Sequence, residues 1–125
     1  MSDELIILVT APNRGEAARI ARSLVSERLA ACVNIIAEIE SVYRWEGKVI
    51  EDSESLMIVK TTEDRYSAVE SRVRELHTYT VPEVIALRIE QGSEAYLRWI
   101  HECTRSGHDS MKSLEEEERN TKDSE

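Results

Sequence analysis

The chain has 125 residues, with 16 Lys and Arg against 25 Asp and Glu, for a formal charge of −9. That length fits one domain with a core of its own. The acid excess argues against binding a nucleic-acid backbone, which needs clustered Lys and Arg, and the lack of phenylalanine leaves the core to Ile, Val, Leu and Ala.

The opening "MSDELIILVTAPN" has no basic region, and its apolar run is far too short to span a bilayer. No secretion signal and no membrane partner are expected, and a cytoplasmic setting follows. Two cysteines, Cys32 and Cys103, form neither a metal knuckle nor a C-x-x-C pair.

Residues 5–10, "LIILVT", read as a strand buried on both faces. Asn13 is placed to cap a helix, with Glu16 in a capping-box position. Ala17, Ile20, Ala21, Leu24 and Val25 then recur at helical spacing up to about Arg28. Residues 31–45 are β-branched and alternate from Glu38 onward, with Ile39, Ser41, Tyr43 and Trp45 on one face. "EGK" (46–48) supplies a turn, with Gly47 able to take positive φ, and residues 49–61 return as the partner strand.

Thr61 and Asp64 flank a second helix carried by Tyr66, Val69, Val73 and Leu76 and ending near His77. Residues 81–90 read as a fourth strand, and Ser93 caps a third helix running through Cys103. From residue 105 large apolar residues nearly vanish, so 1–104 is the expected domain and 105–125 a charged, disordered appendix. The order strand-helix-strand-strand-helix-strand, then helix, is that of an α+β, ferredoxin-like βαββαβ sandwich with an extra C-terminal helix. A long hairpin with Tyr43 and Trp45 near its tip leaves edges and rings that want covering, which predicts packing against another copy.

"HTYTVPEV" (77–84) concentrates polar and ring chemistry at one junction. His77 suits a metal ligand or proton carrier, or else a helix C-terminal histidine bonded to the last carbonyls. Pro82 stiffens a corner, and Glu83 either pairs with an arginine or faces a cleft. Cys32 reads as a buried thiol or a soft-metal thiolate. Lys60 either snorkels outward at the sheet edge or lines a polar cleft. Asn13 and Arg14 at a helix N-terminus allow anion binding. The glutamates at 115–118 read as solvated. Gly-rich phosphate loops, G-x-S-x-G and H-E-x-x-H are all absent, so no enzyme is expected.

The segments "VTAPN", "ERLAACVN", "SVYRWEGKV", "MIVKTT", "HTYTVPEV" and "YLRWI" resemble, in that order, the CutA family of divalent-cation tolerance proteins, over about residues 4–103. The resemblance implies a ferredoxin-like fold assembled as a homotrimer similar to the PII signalling proteins, linked to copper or another divalent cation. It points to His77 with Cys32 or Glu83 as a metal centre. Lys60, Tyr79, Trp45, Tyr43 and Arg14 would line a cleft between subunits. A PII-like sensor binding a small anion there is the alternative. Val9 and Leu76 stand where some relatives carry a cysteine and a second histidine.

Overall fold

The computed structural model describes residues 3–105; the expected disordered appendix lies outside the described residues, apart from Arg105. Its elements are β1 (Glu4–Ala11), α1 (Arg14–Ser26), β2 (Cys32–Trp45), β3 (Lys48–Thr62), a 3-10 turn (Glu63–Arg65), α2 (Tyr66–Leu76), β4 (Val84–Arg88) and α3 (Glu94–Thr104). The four strands form one antiparallel sheet in the order β2-β3-β1-β4, the ferredoxin-like arrangement.

Alternation sorts each strand onto two faces. Ile7, Val9 and Ala11 of β1 and Met57 and Val59 of β3 point to one face. There they meet Ala17, Ile20 and Leu24 of α1 and Val69 and Val73 of α2 in one buried cluster. Glu4, Ile6, Leu8, Leu56, Ile58 and Lys60 point to the other face. α3 lies on that second face, with Ile100 fully buried and Tyr96 beneath the Lys60 ammonium, 5.7 Å from ring centre to Nζ. Ile85 and Leu87 of β4 share this face and are more than half exposed.

The hairpin runs well past the rest of the sheet. β1 pairs with β3 only over Ser55–Thr62, so the stretch of β3 from Lys48 to Glu54 projects roughly 23 Å with β2 as its one strand partner among the described residues. Its turn has two residues, Glu46 and Gly47, with φ of 49° and 79°; Lys48, expected in the turn, already pairs with Trp45. Positive φ at both positions matches a type I′ turn, whose twist suits a hairpin.

Midway, Ala37 and Glu38 stand opposite Ser55, a β-bulge between the pairs Ile36–Leu56 and Ile39–Glu54. The Ser55 hydroxyl donates to the Ala37 carbonyl at 2.7 Å, which satisfies the acceptor the ladder leaves over. The extra residue flips the parity of β2. Even-numbered residues face α3's side before it, and odd-numbered Ile39, Ser41, Tyr43 and Trp45 face that side after it.

Three local expectations are corrected. β4 is Val84–Arg88 rather than 81–90, because Thr78 to Val81 bend and Pro82 has no N–H to give a ladder. β3 runs on through Thr62, and α2 begins at Tyr66 with no side-chain cap. The capping box at α1 is half made. Asn13 Oδ1 accepts from Glu16 N at 2.8 Å, but the Glu16 carboxylate turns away to Thr78. The other end of α1 closes in a Schellman motif, Leu29 N to Leu24 O and Arg28 N to Val25 O, with Arg28 at φ 61° where glycine is the usual choice.

Candidate functional site at the hairpin base

His77 follows the last turn of α2, and its side chain is fully buried. Its Nε2 lies 2.6 Å from the Thr10 carbonyl, and its Nδ1 lies 3.0 Å from the Tyr79 N–H. A carbonyl only accepts and an amide N–H only donates. The neutral tautomer is therefore fixed: Nε2–H donates to Thr10, and Nδ1 accepts from Tyr79. Both nitrogens are engaged within the chain. The last carbonyl of α2 is taken by Arg19, whose Nη2 donates to Leu76 O at 2.9 Å, so capping its own helix is not what the His77 ring does.

The bend after His77 carries Tyr79 to β3. The two rings are 4.8 Å apart, and the Tyr79 hydroxyl donates to Glu54 Oε2 at 3.2 Å. Glu16 holds the same bend from α1, accepting from the Thr78 N–H at 3.1 Å and its hydroxyl at 3.0 Å. Beyond Glu54, the Tyr43 hydroxyl donates to Asp52 Oδ2 at 3.4 Å, and Ser53 Oγ donates to Glu38 Oε1 at 3.0 Å. Glu38, Ile39, Glu40, Glu51, Asp52 and Ser53 line a groove of about 520 Å³ beside the bulge.

The two phenols register this charge. The Tyr79 hydroxyl is pushed up to about 12, first by burial and then by Glu54. Tyr43 is raised in the same way, by burial first and then by Asp52 and Glu54. An anionic Tyr79 is thus costlier in the folded chain than in the unfolded one, where it titrates near 10.0. Its contribution to stability is full below about pH 10 and is lost as pH rises through about 12. Urea melts from pH 9 to 12 should show this alkaline loss, and Tyr79→Phe should shrink it. An equal loss in the variant would remove the Tyr79–Glu54 contact from the account.

The sequence-predicted residues fall into separate places. His77 and Tyr79 come together, and Tyr43 joins them through Glu54 and Asp52. Cys32 and Lys60 meet elsewhere: they are cross-strand partners, with Cys32 Sγ 3.7 Å and Lys60 Nζ 2.7 Å from Asn34 Oδ1. Lys60 sits opposite Ile6, and His77 bonds to Thr10, four residues further along β1, roughly 13 Å away. Glu83 is exposed in the bend before β4, Arg14 is exposed at the first turn of α1, and Trp45 is half exposed at the hairpin tip. Within one chain His77, Cys32 and Glu83 therefore do not form a metal centre. Val9 is fully buried in the core, and Leu76 packs against it.

Glu16, Asp52 and Glu54 were not anticipated as site residues. The signal for the last two is the alternation of "EDSES", whose Asp52 and Glu54 stand opposite Ser41 and Ile39. Glu16 gives no local signal, because its partner is Thr78.

No helix among the described residues is long and apolar enough to cross a membrane. Residues 5–103 match the family model described as CutA1 divalent ion tolerance protein. The divalent-cation tolerance protein CutA of Thermus thermophilus is 50% identical over 101 residues, covering 81% of this chain and 98% of that protein. Human protein CutA is 50% identical over 103 residues, 82% of this chain, but the chain spans only 58% of that protein's length. The solved structure of the periplasmic divalent cation tolerance protein CutA from Archaeoglobus fulgidus superimposes with a TM-score of 0.80 at 42% identity, covering 82% of this chain and 99% of that one. That relative is described as periplasmic, so kinship alone does not carry the cytoplasmic setting expected from the sequence. With a match across nearly all the described residues, half-identical relatives and a shared fold, the chain belongs to the CutA1 divalent ion tolerance protein family.

Proposed function

We propose that this chain serves divalent-cation tolerance as a homotrimer, with a divalent cation met at the acidic base of the hairpin. The observation that carries this reading is the crowding of Glu38, Glu40 and Glu51 on one face of the hairpin at one groove, which Asp52 also lines from the opposite face, where Glu54 is its neighbour. Carboxylates crowded at one place attract cations and raise their local concentration. The donors are all oxygen, a set that suits a harder ion such as Mn²⁺ better than copper. Copper at His77 requires one of the ring's two hydrogen bonds to give way; the carboxylate beside the ring within the chain is that of Glu16, 3.5 Å from Nδ1. The proposal includes no catalytic turnover and needs neither a nucleic acid nor a membrane.

The small-anion alternative draws less support. Lys60 pairs near the start of β1 and Arg14 follows its end, so the two cations do not converge within one chain. The Lys60 ammonium is also held by Asn34 and Tyr96.

Titrating Mn²⁺ into the full chain should broaden the amide resonances of residues 38–40 and 51–54 before others. The Glu51→Gln/Asp52→Asn double variant should weaken that binding by at least about tenfold, and His77→Gln should leave it unchanged. Uniform broadening, or equal affinity in the groove variant, excludes the groove.

A further inference from the structure

At the far end of β1 from the hairpin, a second group of donors converges. Asp3 and Glu4 lead into β1, and His101 lies in the last turn of α3. His101 Nε2 is 2.5 Å from Glu4 Oε2 and 2.8 Å from Asp3 Oδ1, and the three ligand atoms lie within 4.8 Å of one another. We propose that Asp3, Glu4 and His101 form a binding site for a borderline divalent transition-metal cation of the Zn²⁺ class. This inference rests on none of the hairpin carboxylates, and the failure of the groove leaves it standing.

Two features fit a cation. The first is spacing. Ligands at 2.0–2.1 Å around a tetrahedral ion stand about 3.3 Å apart, so the two contacts to His101 Nε2 need to open by less than about 1 Å. The second is the donor set. One imidazole nitrogen with two carboxylate oxygens suits Zn²⁺ and its neighbours, whereas Ca²⁺ and Mg²⁺ take oxygen ligands.

Access and support are both in place. The side chains of Asp3 and His101 are 47% and 32% exposed, so an ion and its completing water reach the site from solvent. Arg88 feels Asp3, but its guanidinium is paired with Glu63 at 2.5 Å. Glu63 N also donates to the Asp3 carbonyl at 2.7 Å, which fixes the backbone that carries the first ligand. The Nε2 lone pair takes the metal, so a proton carried there passes to solvent on binding.

The test is a titration of the ¹⁵N-labelled full chain with ZnCl₂, read at the imidazole nitrogens. Stoichiometric Zn²⁺ should move the His101 Nε2 resonance and leave that of His77 in place. His101→Gln should weaken Zn²⁺ binding by at least about tenfold. Should that variant fold poorly, Asp3→Asn alters only a half-exposed side chain and should still weaken binding several-fold. The hairpin variant Glu51→Gln/Asp52→Asn should bind Zn²⁺ at His101 as the unaltered chain does. A His101 resonance unmoved at saturating Zn²⁺ overturns the proposal. So does equal affinity in Asp3→Asn, or loss of the His101 shift in the hairpin variant.

Discussion

Replacing His77 by alanine should lower the stability of the folded chain by about 3 kcal/mol or more. The imidazole is fully buried and joins the end of β1 to the bend that enters β4, through the Thr10 carbonyl and the Tyr79 N–H. Alanine strands both backbone groups, and a buried polar group left without its partner costs about 1–3 kcal/mol. The void left by the ring adds to that. Glutamine, which offers one donor and one acceptor, should recover part of the loss. Urea melts at one fixed chain concentration measure it, because the proposed assembly would make apparent stability depend on concentration. A midpoint within error of the unaltered chain would mean that His77 is not the pin of this corner. A large loss with cation binding intact would separate its structural role from the metal role that the resemblance suggests.

The same residue shows what the sequence could and could not convey. The spacing of Ala17, Ile20 and Leu24, and of Val69 and Val73, places two helices on one sheet face, and those residues are the observed core. The apolar run at 5–10 and the turn chemistry at Gly47 are equally local, and both are legible. The partners of His77 are not local: Thr10 lies 67 positions away, and nothing near position 77 names it. Glu16 makes the point more sharply. Its position in a capping box is correct, yet its carboxylate serves Thr78, 62 residues on. The bulge at Ala37–Glu38 is an intermediate case. Ile35 packs against the core while Ile36 and Ile39 share the opposite face, a change of phase visible in "NIIAEIE". Alternation read only from Glu38 onward leaves that shift of phase out. A paired acid-and-histidine group such as Asp3, Glu4 and His101 is invisible for the same reason as the Thr10 bond, because its members lie 97 residues apart.

The second large effect concerns assembly. Ile85→Asp together with Leu87→Asp should convert the proposed homotrimer to single chains of 14.3 kDa. The second sheet face carries Ile6, Leu8, Ile36, Leu56, Ile58, Ile85 and Leu87, and α3 covers only the end near Lys60 and Glu4. Ile85, Leu87 and Ile36 are 51%, 54% and 44% exposed in the single chain. An uncovered apolar face of this kind marks a contact with another protein. Burying one such side chain contributes roughly 1.5–3 kcal/mol, and a closed trimer repeats the gain in every subunit. A carboxylate at either position reverses the sign, because it enters the contact without a partner. Neither residue belongs to the buried core cluster beneath α1 and α2, so the isolated subunit should keep its secondary structure by circular dichroism. Sedimentation separates the outcomes. An unaltered chain that sediments at the single-chain mass removes the homotrimer. A doubly substituted chain that stays assembled moves the contact to the hairpin, where Val42, Tyr43, Trp45 and Val49 are the remaining exposed apolar residues. Loss of assembly through β4 alone places the cohesion on the sheet face, with the hairpin's rings covered as a consequence rather than a cause.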